Sequence, residues 1–527
     1  MNRRRFLAAA AGTAVGSGAI AAGVPAAWRA FGHGQPGLLL TSTAPLPRPY
    51  QVPLPVPSIL RPAHTDAVAD SYEITQRIAH LSILPGLRTE AWTYAGSFPG
   101  PTIVSRSGRR TIVHHRNELP QPTVVHLHGG HTPHDSDGYP TDLILPVGAR
   151  RSTTSTGGMQ GAHNEDATAV VSEGTRTYSY PLDQRAATLW YHDHRMGFTG
   201  PGVWRGLAGF HVIHDDEEDA LPLPRHDRDI PLMICDRSFA ADGSFAYPSL
   251  DPYLGSQPGV TERYMNGVLG DVILVNGAPW PVLDVARQRY RLRLLNASNA
   301  RRYRLELDPQ PPGGDALVQI GGDGGLLERP VAHDRLDMAS AERFDIVVDF
   351  GRYRPGTRVR LVNRLGSGTT AEVMRFDVSP TARTPADDTA VPDQLSTIGR
   401  LDPARATATR TFTFARGSRE AGWTINGQDY MPGRDLATPR LGTTEVWRFI
   451  SDFHHPVHVH LDPFQVLARD GREPGPYDAG WKDTVDLLPA QAVEVAIRFT
   501  DYAGRFLLHC HNLEHEDMAM MADFTTR

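Results

Sequence analysis

The sequence predicts an all-β chain of three consecutive domains, and three observations carry that prediction. Its 527 residues suffice for about three or four domains of ~100–200 residues, each able to bury a core of its own. Glycine (50) and proline (43) together exceed their usual share of ~12%, while hydrophobic content holds at 40%, so the excess belongs in turns between short strands rather than in disorder. Finally, one local pattern occurs three times, an alternating strand that ends in a polar turn: Thr111 to Asn117, Tyr290 to Asn296 and Glu445 to Ser451. A second alternating strand follows each within about a dozen residues, at Thr123 to His128, Arg302 to Leu307 and Pro456 to His460. The repeat interval of about 150 to 180 residues agrees with the domain count from length.

Two stretches read as linkers, the acidic, proline-containing run Asp215 to Asp229 and the Pro-, Thr-, Ala- and Asp-rich run Ser379 to Ala404. They place domains at 45–218, 226–378 and 405–527. Gly148 to Gly174, polar and glycine-rich, reads as a long surface loop of the first domain. Residues 1–30 read as a twin-arginine signal region: Arg3-Arg4-Arg5-Phe6-Leu7, an Ala- and Gly-dominated stretch to about Val24, then small residues at Pro25-Ala26-Ala27. The expected partner is therefore the twin-arginine export machinery, and the expected location extracellular, periplasmic or in the cell envelope. A membrane anchor is the alternative, but the stretch is weakly hydrophobic and no stable anchor is expected. Because that route exports folded proteins, often with a cofactor inserted, it points toward a metal or redox group.

Charge and cysteine content exclude other classes. With 53 basic and 59 acidic residues the chain carries −6, so a nucleic-acid polyanion is not an expected partner. Nearly all the basic residues are arginine, Lys482 being the sole lysine, and no function is read from that. Cys235 and Cys510 alone cannot build a disulfide framework. Cys235, in the apolar run Pro231 to Cys235, reads as a core strand residue.

Histidine is where the chemistry concentrates. Random placement of 23 histidines gives roughly one His-x-His pair, yet there are four: His126/His128, His192/His194, His458/His460 and His509/His511. Residues i and i+2 of a strand share a face, so each pair can offer two imidazoles to one metal or to two adjacent ones. Two pairs lie in the first domain and two in the third, so eight imidazoles converge if those domains meet. The middle domain has Arg302, Arg304 and Glu306 in the equivalent strand and reads as a spacer. A zinc hydrolase is an alternative for His126-x-His128, but position 130 is Gly where such a motif has its Asp, and the third domain is then unexplained.

The most specific run is His509-Cys510-His511, followed by His515 and Met520. On a strand Cys510 faces away from its two neighbours, so a copper on the thiolate is joined through a few covalent bonds to coppers held by the flanking histidines. Two imidazoles, one thiolate and a weak axial Met mark a blue-copper site. His515 and Met520 lie at a turn-like spacing from Cys510, and His455 is the natural second imidazole.

In order, His126-Leu-His-Gly129, Trp190-Tyr-His-Asp-His194, His455-Pro-Val-His-Val-His460 and His509-Cys-His-x3-His515-x4-Met520 resemble the four copper motifs of the multicopper oxidases. Gly129-Gly130, Ser136-Asp-Gly138-Tyr-Pro and Glu514-His-Glu-Asp517 look most like the bacterial branch that contains spore-coat laccase, phenoxazinone synthase and bilirubin oxidase. The resemblance spans all three domains and implies three consecutive cupredoxin-like Greek-key β-barrel or sandwich domains. It also implies four coppers per chain: type 1 at His455, Cys510, His515 and Met520, type 2 at His126 and His458, and a type 3 pair on His128, His192, His194, His460, His509 and His511. Asp137 and Glu516 match acidic positions that help move protons to oxygen intermediates in this branch, and reducing O2 to water consumes four protons that must reach a buried cluster.

The implied activity is a laccase-like oxidase coupling one-electron oxidation of a small phenolic or aminophenolic reductant to reduction of O2. Metal-ion and bilirubin oxidases are alternatives within the family. Phe453 stands where a bilirubin oxidase has tryptophan, two residues before the type 1 histidine, and no methionine-rich segment of the cuprous-oxidase kind is present. His454 reads as a neighbour of the site or a solvent-facing residue. From another class, a copper-free cupredoxin scaffold of the cell envelope is the remaining alternative, although all twelve ligand positions are filled.

Overall fold

The computed structural model describes residues 34–149, 166, 168–381, 387–417 and 422–527. The leader and most of the Gly148 to Gly174 segment lie outside these residues. Strand makes up 46% and helix 7%, so the chain is all-β. Its six larger sheets fall into three successive pairs, the packing expected when each strand buries one face against a second layer.

In the first pair, Ala69–Leu81 is flanked by Arg110–Asn117 and Thr89–Tyr94, while Val125–His128, Ala187–Asp193, Ala208–His214 and Gly100–Arg106 form the facing sheet. Tyr72, Ile74, Val113, Tyr178 and Leu189 fill the space between. Asp229–Phe239, Arg289–Asn296, Arg343–Asp349 and Leu317–Gly322 run side by side in the middle pair, over a sheet containing Tyr303–Asp308, Arg358–Asn363 and Glu372–Val378. The third pair opposes Ala408–Arg416, Thr443–Ser451, Ala492–Phe499 and Phe464–Arg469 to Met521–Thr526, Gly504–Cys510, His455–Val459 and Thr484–Leu487. Phe412, Trp447, Phe449, Phe506 and Phe524 are buried between those two sheets.

Strand pairing does the positioning. Val125–His128 runs antiparallel to Ala187–Asp193 with His126 opposite His192, and His455–Val459 runs antiparallel to Gly504–Cys510 with His458 opposite His509. Ligand candidates far apart in sequence therefore become cross-strand neighbours, Cβ atoms roughly 5 Å apart.

Both linker stretches are more tightly held than their composition suggests. Glu218 is buried and bonded to Arg291 and Arg293, and the two arginines outweigh its burial and hold the carboxyl far below its ordinary range. Leu395 packs with Leu223, Leu326 and Val347, and Asp387 pairs with Arg228 and Arg289. Asp166, inside the segment expected to be a surface loop, is buried and bonds Thr141 and Arg505. Cys235 is 1% exposed in the middle core, where burial pushes its thiol up to about 11, as expected of an inert core residue. Arg304 and Glu306 pair with Asp337 and Arg364, so the middle repeat has ion pairs where its neighbours have imidazoles.

Candidate metal centres

Two groups of donor atoms are built by the turns and strands of the first and third sheet pairs. His455 opens its strand, Cys510 closes the neighbouring one, and His515 stands on the short helix Leu513–Asp517 that follows. Cys510 Sγ lies 3.5 Å from His455 Nδ1 and 3.5 Å from His515 Nδ1, and the two nitrogens are 3.2 Å apart. A triangle of that size has a point about 2 Å from every corner, an ordinary metal–ligand bond length. Asp452 Oδ1 accepts from His455 Nε2–H at 3.0 Å, which leaves Nδ1 with the free lone pair. Met520 is buried, its N–H bonded to the His515 carbonyl and its own carbonyl bonded to Cys510 N–H, so the backbone ties it to both residues. All three donors of the triangle are buried, and burial pushes the Cys510 thiol well above its ordinary range. A coordinated metal reverses that effect, because a ligating thiol is deprotonated outright.

The second group is larger. His126, His128 and His192 bring one ring nitrogen each within a single metal's reach, as do His126, His458 and His460, and again His194, His460 and His509. His511 completes the cluster, its ring 5.1 Å from that of His128 and 5.4 Å from that of His192. The strand alternation read from the sequence holds: Cys510 turns to one side while His509 and His511 turn to the other. The two groups are thus joined by consecutive residues of one backbone.

Oxygen acceptors outside the cluster decide which nitrogen faces inward. His126 Nδ1–H donates to the Asp137 carbonyl at 2.6 Å, His192 Nδ1–H to the Asp193 carbonyl at 2.8 Å, and His458 Nδ1–H to the Asp483 carbonyl at 2.9 Å. His460 Nδ1–H donates to Asp137 Oδ2 at 2.7 Å, and His509 Nδ1 lies 3.1 Å from Glu516 Oε2. The opposite Nε2 atoms of His126, His192, His458 and His460 are buried without a hydrogen-bond partner, as are Nδ1 of His128 and both nitrogens of His511. Leaving so many buried lone pairs unsatisfied costs about 1–3 kcal/mol each, which a metal ion on the inner side removes. Burial also pulls the pKa values of His126, His128, His192, His194, His458, His460 and His511 below 6.5, and a neutral imidazole is the form that ligates.

Comparison with known proteins gives the same answer. Two family models, both described as multicopper oxidase, match residues 402–527 and residues 76–154 with 148–218. The laccase of Bacillus stratosphericus is 36% identical, the match covering 89% of this chain and 97% of that protein, and the laccase of Bacillus subtilis (strain 168) is 36% identical over 89% and 96%. The chain belongs to the multicopper oxidase family. Bilirubin oxidase of Albifimbria verrucaria is 33% identical over 90% of this chain and 81% of that one. Among solved structures, a laccase from Pediococcus acidilactici superposes with a TM-score of 0.76 at 30% identity, covering 93% of this chain and 95% of that one.

This multicopper oxidase is laccase-like, a copper oxidoreductase that uses O2, and its fold is that of cupredoxin domains. The family complement is four coppers, one type 1, one type 2 and a type 3 pair, and the donor sets fit it. Asp137 and Glu516 are both buried against ligand candidates. Burial raises Asp137 well above the carboxylate range, with Asp142 adding to it, whereas His509 and His194 outweigh burial at Glu516 and hold it low. His454 is buried at 3% exposure, so it does not face solvent.

Sequence reasoning passed over several residues around these sites. Asp483 touches His128 with its side chain and His458 with its carbonyl. Trp423 lays its ring on His515, 3.8 Å between centroids, and Trp190 stacks on His192 at 4.2 Å. Asp452 orients His455. Trp190 at least stands inside the Trp190-Tyr-His-Asp-His194 motif, while Asp483, Asp452 and Trp423 belong to no pattern that spacing could reveal.

Proposed function

We propose that the chain is an exported laccase-like oxidase that takes electrons one at a time from small phenolic or aminophenolic reductants and delivers four of them to O2, giving two waters. The observation that carries this reading is the Cys510 triangle, covalently continuous through His509 and His511 with the eight-imidazole cluster. In this reading type 1 copper is held by His455, Cys510, His515 and Met520, type 2 by His126 and His458, and the type 3 pair by His128, His192, His194, His460, His509 and His511. Bound there, copper supplies one-electron redox chemistry that thiolate and imidazole donors support in both oxidation states.

The protein's own groups do the rest. Asp452, its side chain 38% exposed, stands at the outer edge of His455, where a carboxylate is available to the proton that a phenol releases on oxidation. Half-buried Phe453 and buried Trp423 provide aromatic surface beside the same imidazole. On the oxygen side, Asp137 and Glu516 are buried carboxyl groups in contact with the cluster, Asp137 at His460 and Glu516 at His509, placed to hold and pass protons. Export through the twin-arginine route rests on the composition of residues 1–30. Among the described residues no helix is long and apolar enough to cross a membrane.

The test is O2 uptake by the copper-loaded protein with phenols, aminophenols, bilirubin, Fe(II) and Cu(I), alongside Cys510→Ser. Turnover on phenols and aminophenols with one O2 consumed per four electrons, lost in Cys510→Ser, is the expected outcome. Turnover confined to bilirubin or to metal ions, or a Cys510→Ser protein that stays active, overturns it.

A further inference from the structure

The middle domain, which supplies no imidazole to the cluster among the described residues, nevertheless reaches it through one arginine. Arg343 is 1% exposed at the start of Arg343–Asp349. All five of its N–H groups have acceptors. Nε donates to the Thr188 carbonyl at 3.0 Å, and the two Nη atoms donate to the carbonyls of Ala341 and Asp323, each at 3.1 Å. The remaining two N–H groups grip Asp483, with Nη1 2.7 Å from Oδ1 and Nη2 on Oδ2. This is the two-pronged arginine–carboxylate arrangement, which fixes orientation as well as charge.

Asp483 in turn controls two imidazoles. Its Oδ1 accepts from His128 Nε2–H at 3.0 Å, and its backbone carbonyl accepts from His458 Nδ1–H at 2.9 Å. The rings of His128 and His458 stack 3.7 Å apart at 16°. Asp483, with Thr484 Oγ1 3.1 Å from the same His128 nitrogen and donating to Asp483 Oδ1 at 2.9 Å, thus sets the tautomer of a first-domain and a third-domain histidine and holds the two as a parallel pair. Burial works against the ionised carboxylate, but Arg343 and then His128 outweigh it and hold Asp483 well below the ordinary range. Space is reserved for the grip as well: a Cβ at Gly129, whose φ is +85°, lies 2.5 Å from Arg343 Nη2 and 2.8 Å from Asp483 Oδ2. That gives a physical reason for glycine directly after His128.

We propose that Arg343 and Asp483 are positioning residues for the trinuclear copper cluster, through which the middle domain sets the geometry of His128 and His458 and hence the retention of type 2 copper. The proposal rests on the ligand reading above. Changes to groups that hold a metal's histidines typically weaken metal affinity by about 10–100-fold.

The experiment follows the copper-loaded full chain and its Arg343→Gln, Arg343→Lys and Asp483→Asn variants through a chelator titration. Type 2 copper is read by its electron paramagnetic resonance signal and type 1 copper by its blue absorption. The expected result is loss of the type 2 signal at about 10–100-fold lower chelator in Arg343→Gln and in Asp483→Asn, which keeps an oxygen for His128 but breaks the charge-paired grip of Arg343, with altered hyperfine splitting and intact blue absorption. Arg343→Lys keeps the buried charge but not the two-pronged grip, so it decides the matter by the same readout if the other two variants do not accumulate as folded protein. Unchanged type 2 resistance and splitting overturn the proposal. So does parallel loss of blue and type 2 signals, the mark of a purely structural role. Wild-type protein without copper refutes the ligand reading itself, whereas copper-replete wild type with indifferent variants refutes this inference alone.

Discussion

Asp137 meets the cluster twice, its carbonyl accepting from His126 Nδ1–H and its Oδ2 from His460 Nδ1–H. Its Oδ1 is buried with no hydrogen-bond partner, a position suited to a group that takes up and releases a proton. Asp137→Asn leaves the carbonyl contact and an amide oxygen for His460 in place, so copper is retained while the titrating group is gone. Glu516→Gln acts likewise on the His509 side. Both variants are expected to keep wild-type copper content and blue absorption and to reduce O2 more slowly, by the ~100-fold or more that a lost acid–base group typically represents. Stopped-flow reoxidation of the reduced enzyme measures this, and wild-type rates in both would make them structural acids.

At the scale of elements, the first and third domains are joined by His131 as well as by the cluster. His131 Nε2 lies 2.9 Å from Asp501 Oδ1 and Nδ1 lies 3.3 Å from Asp462 Oδ1, with the Tyr502 ring 4.7 Å away. Burial alone lowers the His131 pKa, but Asp462 and Asp501 outweigh it, and the net shift is upward from 6.5. The folded state therefore holds this proton more tightly than the unfolded chain. The stabilisation is complete below about pH 6.5 and is lost as pH rises through the folded pKa. Because the Asp501 side chain is 59% exposed, the contribution is about 1 kcal/mol. His131→Asn is thus expected to lower Tm by about 1 °C at pH 5.5 and by less at pH 8.5, and an equal or larger deficit at pH 8.5 would contradict the latch.

Elements also show what sequence could and could not reveal. The four His-x-His pairs were legible because a strand repeats every two residues, so spacing alone puts both rings on one face. Cys510 was legible for the same reason, its side chain necessarily opposing those of its neighbours. The grip on Asp483 was not, because Arg343 lies 140 residues away in a different domain and looks like any strand arginine. The hold on the linker stretches was hidden for a related reason: only the fold brings Arg291 and Arg293 against Glu218, and Arg228 and Arg289 against Asp387.

For the whole molecule, three sheet pairs bring ligand candidates from both ends of the chain, His126 to His511, into one buried cluster, with the middle pair wedged against it by Arg343. The donor set is complete only when the first and third parts are docked, which explains why the unpartnered imidazole nitrogens sit at their junction and not within any single core. Fold class and repeat number followed from composition and periodicity; the docking that makes the cluster did not, since it depends on contacts between domains. The most direct measurement is copper content per chain in the purified, copper-loaded protein, together with its visible spectrum. Four coppers per chain with a blue thiolate-to-copper band is the result expected of this multicopper oxidase. A chain that binds none, or that binds copper without the blue band, would contradict it.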